Sequence, residues 1–598
     1  MIENEMEAIL EWHRKLGARP CQAGTGFSVW APTANQIRVH IVDGPDFRLK
    51  SDGNGLHSVV REDVKVGDRY WIQADDTPPR PDPASRFQPE GVHGPSEVVS
   101  RDFAWTDAAW KGQPPRDWIL YELHIGAWTD EGTMSAAIDR LDELVDLGVT
   151  AIELMPLADA AGRWNWGYDG VNLFAPNRNY GRPEDVKRFV DVAHAKGLAV
   201  FLDVVYNHLG PEGNYLADVG PYLSSQHQTT WGPGPNFDDP QHGQGVKRFI
   251  LANALYWLDE FHFDGLRVDA VHCILDTSRP HIVEELGRAV AAWSSHTGRP
   301  ADLIAESNVH DTPMIQPIDQ GGVGFTAEWC DDFLHSLFAV VRPGEQLCDR
   351  PYEPGSDLCQ TLQRGYVYEG TLFEPLHRPK VLERVDTSGL IYSIQTHDFV
   401  GNHPLGQRLH QLTCVETQRA CAALLMLTPA IPMLFMGEEF ASDQPFRFFV
   451  DFGDPHLQES VVNGRQREYP QHDWSTGILP TDVAAFEHSK IGTAKSGNIE
   501  LRTWYQALIK IRKQWNKQGL LRDENLTAIC DQRRGIYRID YQTPERSATV
   551  VARLTSVAET EFESIEIEST GTLLLDSRPG SDVTKLSPNH AKVFVNER

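Results

Sequence analysis

The sequence predicts a (β/α)8 barrel with a β-sandwich before it and a smaller β-domain after it, and three observations carry that reading. Residues 26–100 alternate apolar and polar side chains over short runs such as Gly26-Phe27-Ser28-Val29-Trp30 and Ile37-Arg38-Val39-His40-Ile41, separated by Pro, Gly and Asp, the period of half-buried antiparallel strands. Beyond a Pro- and Gly-punctuated linker at 111–117, eight short apolar runs follow, most of them leading into a helical stretch, the rhythm of a parallel barrel. From about Leu520 short β-runs return. The expected division is a β-sandwich at 1–110, a barrel at 111–518 and a last β-domain at 519–598. That is close to the three or four domains a chain of this length holds at roughly 150 residues each.

The strand candidates are 118–126, 150–155, 198–205, 263–269, 302–306, 324–329, 390–398 and 431–436. Each is apolar enough to be covered on both faces. An open doubly wound sheet shares this pattern, but no Gly-x-Gly-x-x-Gly turn follows the first strand. The third connection stands out: 206–244 is rich in Gly, Pro and Asn and lacks helical periodicity, and only then does a helix at 246–261 bring the chain back. Long irregular insertions at the C-terminal end of a barrel strand are where function collects. The longest apolar stretch, 421–436, is too short for a membrane span and contains Pro429 and Pro432, so it reads as the end of a buried helix and then a strand. A helix at 499–515 closes the barrel, and runs at 535–541, 548–554 and 564–568 supply the last domain.

Composition excludes some classes of partner. With 84 Asp+Glu against 55 Lys+Arg the net charge is -29, which repels phosphate backbones and anionic membranes alike. Neither nucleic acid nor a membrane is expected. The 16 Trp supply flat rings suited both to a core and to stacking on neutral sugar faces. Eight cysteines, Cys21, Cys273, Cys330, Cys348, Cys359, Cys414, Cys421 and Cys530, form no Cys-x-x-Cys pair or regular framework, which predicts a reduced, cytoplasmic chain. The first seven residues show neither a basic nor an apolar export region.

The chemistry is read from where the acids fall. Asp203, Asp269, Glu306 and Asp398 stand at or near the C-terminal ends of the third, fourth, fifth and seventh strand candidates, ends that converge on the active face of a barrel. One such Asp is ordinarily a helix cap or turn former; four on four strands point to a site. On the strand around Arg267 and Asp269 the period of two puts both on one face. A guanidinium there favours an ionised carboxylate, as a nucleophile requires, although a buried structural ion pair has the same appearance. Glu306 follows the apolar run Leu303-Ile304-Ala305, surroundings that favour the protonated acid. Two carboxyls so tuned, about 5 to 5.5 Å apart, perform glycoside hydrolysis with retention, and Asp398 is placed to hold sugar hydroxyls or a cationic transition state.

His208, His272 and His397 lie close to these acids, which raises a metal site as an alternative. No ligand spacing such as His-x-x-x-His supports one, so neither metal nor cofactor is expected, and hydrogen bonding to sugar is the reading kept. Trp164-Asn165-Trp166-Gly167-Tyr168-Asp169 follows the second strand, and aromatic rings beside Asn and Asp suit a sugar platform. Trp166 taken alone fits loop core equally well.

At these residues the chain resembles the α-amylase superfamily of retaining α-glycoside hydrolases, through Asp203-Val-Val-Tyr-Asn-His208, Gly265-Leu-Arg-Val-Asp269, Ala305-Glu306-Ser307 and Thr396-His397-Asp398, in the family's order. The resemblance implies that Asp269 is the nucleophile, Glu306 the general acid/base and Asp398 the transition-state stabiliser. It places Tyr168, His208, Arg267 and His397 around the reacting glucose, while Asp169 and His272 are read from their positions as further partners for sugar hydroxyls. Within the superfamily, Leu120-Tyr-Glu-Leu-His124, Trp166-Gly-Tyr-Asp-Gly170, Asp269-Ala-Val-His272, Glu328-Trp-Cys-Asp-Asp332 and Met436-Gly-Glu-Glu439 resemble the trehalose-releasing hydrolases. These cleave the α-1,4 bond beside the terminal trehalose of a maltooligosyltrehalose. Glu328, Trp329 and Asp332 are then expected to recognise the trehalose end. Phe399 and His403 stand where the family has Gln and a basic residue, which bears on aglycone preference. A glycogen branching or debranching enzyme is the nearest alternative and a non-catalytic glucan-binding protein the remote one.

Overall fold

A computed structural model describes residues 9, 12–345, 347–348, 350–371, 384–556, 563–568 and 571–597. The first seven residues, read above for an export signal, lie outside them. The eight apolar runs close into one parallel barrel: β1 Leu120–Leu123, β2 Ala151–Leu154, β3 Ala199–Val204, β4 Gly265–Val268, β5 Asp302–Glu306, β6 Ala327–Trp329, β7 Leu390–Ser393 and β8 Ile431–Phe435. Neighbours pair in sequence order and β8 returns to β1. All but 302–306 are shorter than the sequence suggests, most of all 118–126 and 390–398, whose ends turn into the short helices Ile125–Trp128 and His397–Gly401. Ile125, Ala127 and Trp128 of the first of these helices remain buried.

The period of two sorts the barrel interior into layers. Towards the N-terminal ends the inward residues are apolar, among them Leu120, Ala151, Ala199, Phe201, Ile304, Ala327, Ile391 and Met433. One step further along the same faces stand Glu122, Glu153, Asp203 and Arg267, all buried. The barrel thus carries a greasy plug beneath a charged layer. Gly265 permits this close stacking, because a Cβ there would sit 2.2 Å from the Asp302 carbonyl oxygen. The returning helices bury one stripe each. Met134–Leu147 is capped by the Thr133 side chain, ends on Gly148 at φ 98°, and buries Met134, Ala137, Leu141, Leu144 and Leu147.

Two four-stranded antiparallel sheets precede the barrel. One holds Gly17–Cys21, Gly24–Trp30, Leu56–Arg61 and Lys50–Ser51; the other holds Asp46–Arg48, Ile37–Ile41, Arg69–Ala74 and Ser96–Glu97. They dock on the 206–244 insertion: Tyr222 donates its hydroxyl to the Trp30 carbonyl at 2.6 Å, and Arg80 pairs with Asp218 at 2.6 Å. The insertion is less irregular than its composition suggests. It contains the helix Leu216–Val219 and a hairpin of Leu223–Thr229 with Gly232–Pro235, whose exposed polar faces leave no hydrophobic period to read.

The helices Gly243–Glu260 and Ile499–Lys517 fall where the sequence places them. A five-stranded antiparallel sheet, ordered Leu526–Asp531, Ile536–Gln542, Arg546–Arg553, His590–Glu597, Thr572–Asp576, follows. Cys359 and Cys530 are joined in a disulfide with Cα atoms 6.0 Å apart, which corrects the wholly reduced reading. Their 171-residue separation hides the pair in the sequence, and only the packing of the helix Ser356–Arg364 on Leu526–Asp531 brings them together. Cys21, Cys273, Cys330, Cys348, Cys414 and Cys421 are free. Among the described residues no helix is long and apolar enough to cross a membrane.

Candidate active site

Arg267 organises the floor of the site. It projects inward from β4, fully buried, with its guanidinium 4.3 Å above the Trp329 ring. Nη1 donates to Asp203 Oδ2 at 2.6 Å and to Asp269 Oδ1 at 3.0 Å, while Nη2 lies 2.8 Å from Glu306 Oε2. Burial opposes its charge, but the ring of acids led by Asp203 and Glu306 outweighs that and holds the guanidinium firmly protonated. Asp203 lies deepest of the acids it pairs with, and burial pushes its carboxyl up to about 7 against the pull of Arg267.

Asp269 and Glu306 are set by local backbone as well as by Arg267. Asn207, just past β3, donates its Nδ2 to Asp269 Oδ2 at 2.7 Å. The next residue, Ala270, takes the left-handed conformation at φ 39°, strained for a residue with a Cβ, and its N–H donates to Glu306 Oε2 at 2.7 Å. The apolar run before Glu306 therefore does not describe its surroundings: one guanidinium and one amide reach the carboxylate from neighbouring elements, which strand sequence alone cannot show.

His397 and Asp398 complete the group from the turn after β7. Thr396 caps that turn through its side chain, accepting from the Phe399 N–H at 3.1 Å. Glu122 on β1 accepts from the His397 backbone N–H at 2.9 Å and from ring Nδ1. Burial lowers the charge preference of this ring, yet Asp398 and Glu122 push its pKa up to about 10, so Nε2–H donates to Tyr168 Oη at 2.8 Å, whose hydroxyl in turn donates to Asp203 Oδ2 at 2.7 Å. A Cβ at Gly401 would fall 2.0 Å from Trp166 Cζ2, so glycine there lets the Trp166 ring pack edge-on against His397. Asp398 keeps a side chain that is 47% exposed, open to a ligand.

These groups face one cavity of about 730 Å3, within the range of ligand sites. Tyr168, Asp169, His208, Asp269, Glu306, His397 and Asp398 line it, with Trp166. Arg267 lies beneath it. His272 does not line it; its ring is half-buried beside the Glu306 backbone. The three residues expected to hold a trehalose end are also elsewhere. Glu328 accepts from His310 Nδ1 at 2.9 Å and from the Asp311 N–H at 3.2 Å, and burial pushes it up to about 7. Trp329 is the floor under Arg267. Asp332 accepts from Tyr352 Oη at 2.6 Å and from the N–H groups of Val367 and Tyr368 at 2.6 and 2.8 Å, so it pins a loop. Phe399 packs on Phe338, and His403 on His472, neither in the cavity lining.

Sequence reasoning missed other walls. Trp231, on the insertion hairpin and 41% exposed, stands 5.0 Å from the His208 ring. The helix Pro455–Glu468 and Tyr469 also line the cavity, with Leu457, Val461 and Arg465. Asp454-Pro455, a cap followed by Pro at the first helical position, was the available signal. Among the described residues no group of three or more His, Cys, Asp or Glu is arranged to hold a metal.

The family model for the alpha amylase catalytic domain matches residues 97–232. Barrel, match and the relatives that follow define a glycoside hydrolase of the α-amylase class. Among curated relatives, the malto-oligosyltrehalose trehalohydrolase of Saccharolobus solfataricus is 40% identical over 494 residues, covering 82% of this chain and 86% of the relative. That of Arthrobacter ramosus is 38% identical over 523 residues, covering 86% and 90%. A crystal structure of a proposed alpha amylase from Salmonella typhimurium superposes with a TM-score of 0.86 at 32% identity, over 97% of this chain and 99% of that one. The chain belongs to the malto-oligosyltrehalose trehalohydrolase family.

Proposed function

We propose that this protein hydrolyses the α-1,4-glucosidic bond beside the terminal trehalose of a maltooligosyltrehalose, releasing trehalose and a shortened maltooligosaccharide. The observation that carries the hydrolytic chemistry is the pair Asp269 and Glu306 on two nitrogens of the Arg267 guanidinium, with Asp398 lining the same cavity, and the likeness to the trehalohydrolases supports the trehalose-ended substrate. Glu306 protonates the glycosidic oxygen while Asp269 attacks the anomeric carbon, so the bond to trehalose breaks as a glycosyl ester forms. Glu306 then takes a proton from water, which attacks the same carbon and frees Asp269. Asp398 faces the sugar hydroxyls, with Tyr168, Asp169 and His208 beside it and the His397 ring bracing Tyr168. Stabilisation of the positive transition state by Asp398 supplies part of the rate.

The same reading divides the chain at 1–110, 111–518 and 519–598, and places it in the cytoplasm, with six free cysteines in favour and the Cys359–Cys530 disulfide against. The test is product analysis after separate incubation with maltotetraosyltrehalose, maltohexaose and glycogen. Trehalose from the first, with slow attack on the others, supports the assignment. New branches, or plain maltooligosaccharides without trehalose, would keep the carboxyl cluster and overturn the substrate.

A further inference from the structure

Arg465 belongs to the helix Pro455–Glu468, which follows β8 by a long connection, yet its guanidinium ends beside the turn that carries Asp398. Nη2 lies 2.6 Å from Asn402 Oδ1, and Asn402 Nδ2 lies 3.2 Å from Asp398 Oδ1. We propose that Arg465 is a positioning residue for Asp398, acting through the Asn402 amide. The inference rests on the role assigned to Asp398 above.

The donor and acceptor inventory of the three side chains fixes the amide's orientation. A guanidinium only donates and a carboxylate only accepts, whereas an asparagine amide does both and reverses by rotation about one bond. Arg465 decides that rotation, because its N–H groups are compatible only with the amide oxygen. The NH2 group is then turned to Asp398. Reversed, the amide would set its oxygen against a carboxylate oxygen. The orientation matters because Asp398 is held loosely otherwise: its second polar side-chain contact is His397 Nε2 at 3.4 Å. Arg465 itself is firmly fixed. Its side chain is 10% exposed, lies between the rings of Phe448 and Tyr469 at 4.6 and 4.7 Å, and pairs with Glu468 at 3.2 Å. A guanidinium taken out of water needs such partners, and here they aim it at Asn402.

Four variants, R465Q, R465K, N402A and R465Q/N402A, separate positioning from structure and from substrate contact, with maltotetraosyltrehalose as substrate and D398N as reference. R465Q, able to offer its own carbonyl to Asn402, is expected to lower kcat about 10- to 100-fold with KM within about threefold. R465K, still a pure donor, recovers part of the loss. The double variant R465Q/N402A has the kcat of N402A alone, since nothing remains to orient. Thermal melts of each variant show whether it is folded. Losses that multiply in the double variant, a change confined to KM, or a kcat for R465Q equal to wild type would overturn the proposal. Near-normal turnover by D398N would instead remove the functional reading of Asp398, and with it this inference.

Discussion

The Glu122 carboxylate grips His397 twice, accepting from its backbone N–H at 2.9 Å and from ring Nδ1. One strand thereby fixes both the placement and the protonation of a ring on a distant turn. The charged groups around that ring are Glu122 on β1, Arg267 on β4 and Asp398 beside it, with Tyr168 against Nε2 and the Trp166 and Trp329 rings flanking it.

Replacing Glu122 by Gln keeps an acceptor for the backbone N–H but removes an anion. The His397 pKa, about 10 in the intact protein, should fall, and the alkaline limb of kcat/KM should move down by at least about one pH unit. The linked stability has a definite sign. A folded value raised above the ordinary 6.5 stabilises fully below pH 6.5, and that contribution is lost as pH rises through about 10. The melting-temperature deficit of the variant should therefore be larger at pH 6 than at pH 10. An equal deficit at both, with an unmoved profile, would show that Glu122 only packs.

Glu306→Gln removes the proposed proton donor while leaving shape intact. Turnover of maltotetraosyltrehalose should fall by about 10^3-fold, within the usual span for a lost general acid, with little change in affinity. A glycosyl fluoride, whose leaving group needs little protonation, should form the glycosyl-enzyme far less impaired. Comparable losses on both substrates would take Glu306 out of the acid role.

Asp269→Asn should lose roughly 10^4-fold or more of turnover. Intact-protein mass spectrometry with a slow fluorinated glycosyl donor should show an adduct in the parent protein and none in this variant. An adduct that persists would place the nucleophile at another residue.

Asp332→Ala should behave as a fold mutation. Three donors lose their acceptor, among them two buried backbone amides, at a cost of about 2 to 4 kcal/mol. The ratio of activity on trehalose-ended and plain maltooligosaccharides should stay constant while the melting temperature drops. A change in that ratio without a drop would return Asp332 to substrate recognition.

Trp231→Ala tests the missed wall. Loss of a ring able to stack on a sugar is expected to raise KM about tenfold, on the scale of about 1.4 kcal/mol, with kcat nearly unchanged. Steady-state kinetics decide it.

The eight barrel strands were legible because each is a brief apolar run between helical stretches, and the three carboxyls because they sit where such runs end. Asp332 stands outside the cavity lining for a reason of local geometry. The helix Asp331–Val341 buries Asp332, and composition carries no trace of the amides that reach it from residues 367 and 368. Glu122 was within reach: on a strand reading Leu-Tyr-Glu-Leu the period of two points it inward opposite Tyr121 and Leu123. Arg465 and Trp231 were beyond it, since each reaches the cavity by long-range packing.

The docking of Tyr222 on Trp30 and of Asp218 on Arg80 ties the leading sheets to one wall of the cavity. They anchor the base of the insertion whose tip carries Trp231, so a lesion in the Trp30 strand would surface as a weakened grip on sugar, although the sheets stand outside the cavity lining.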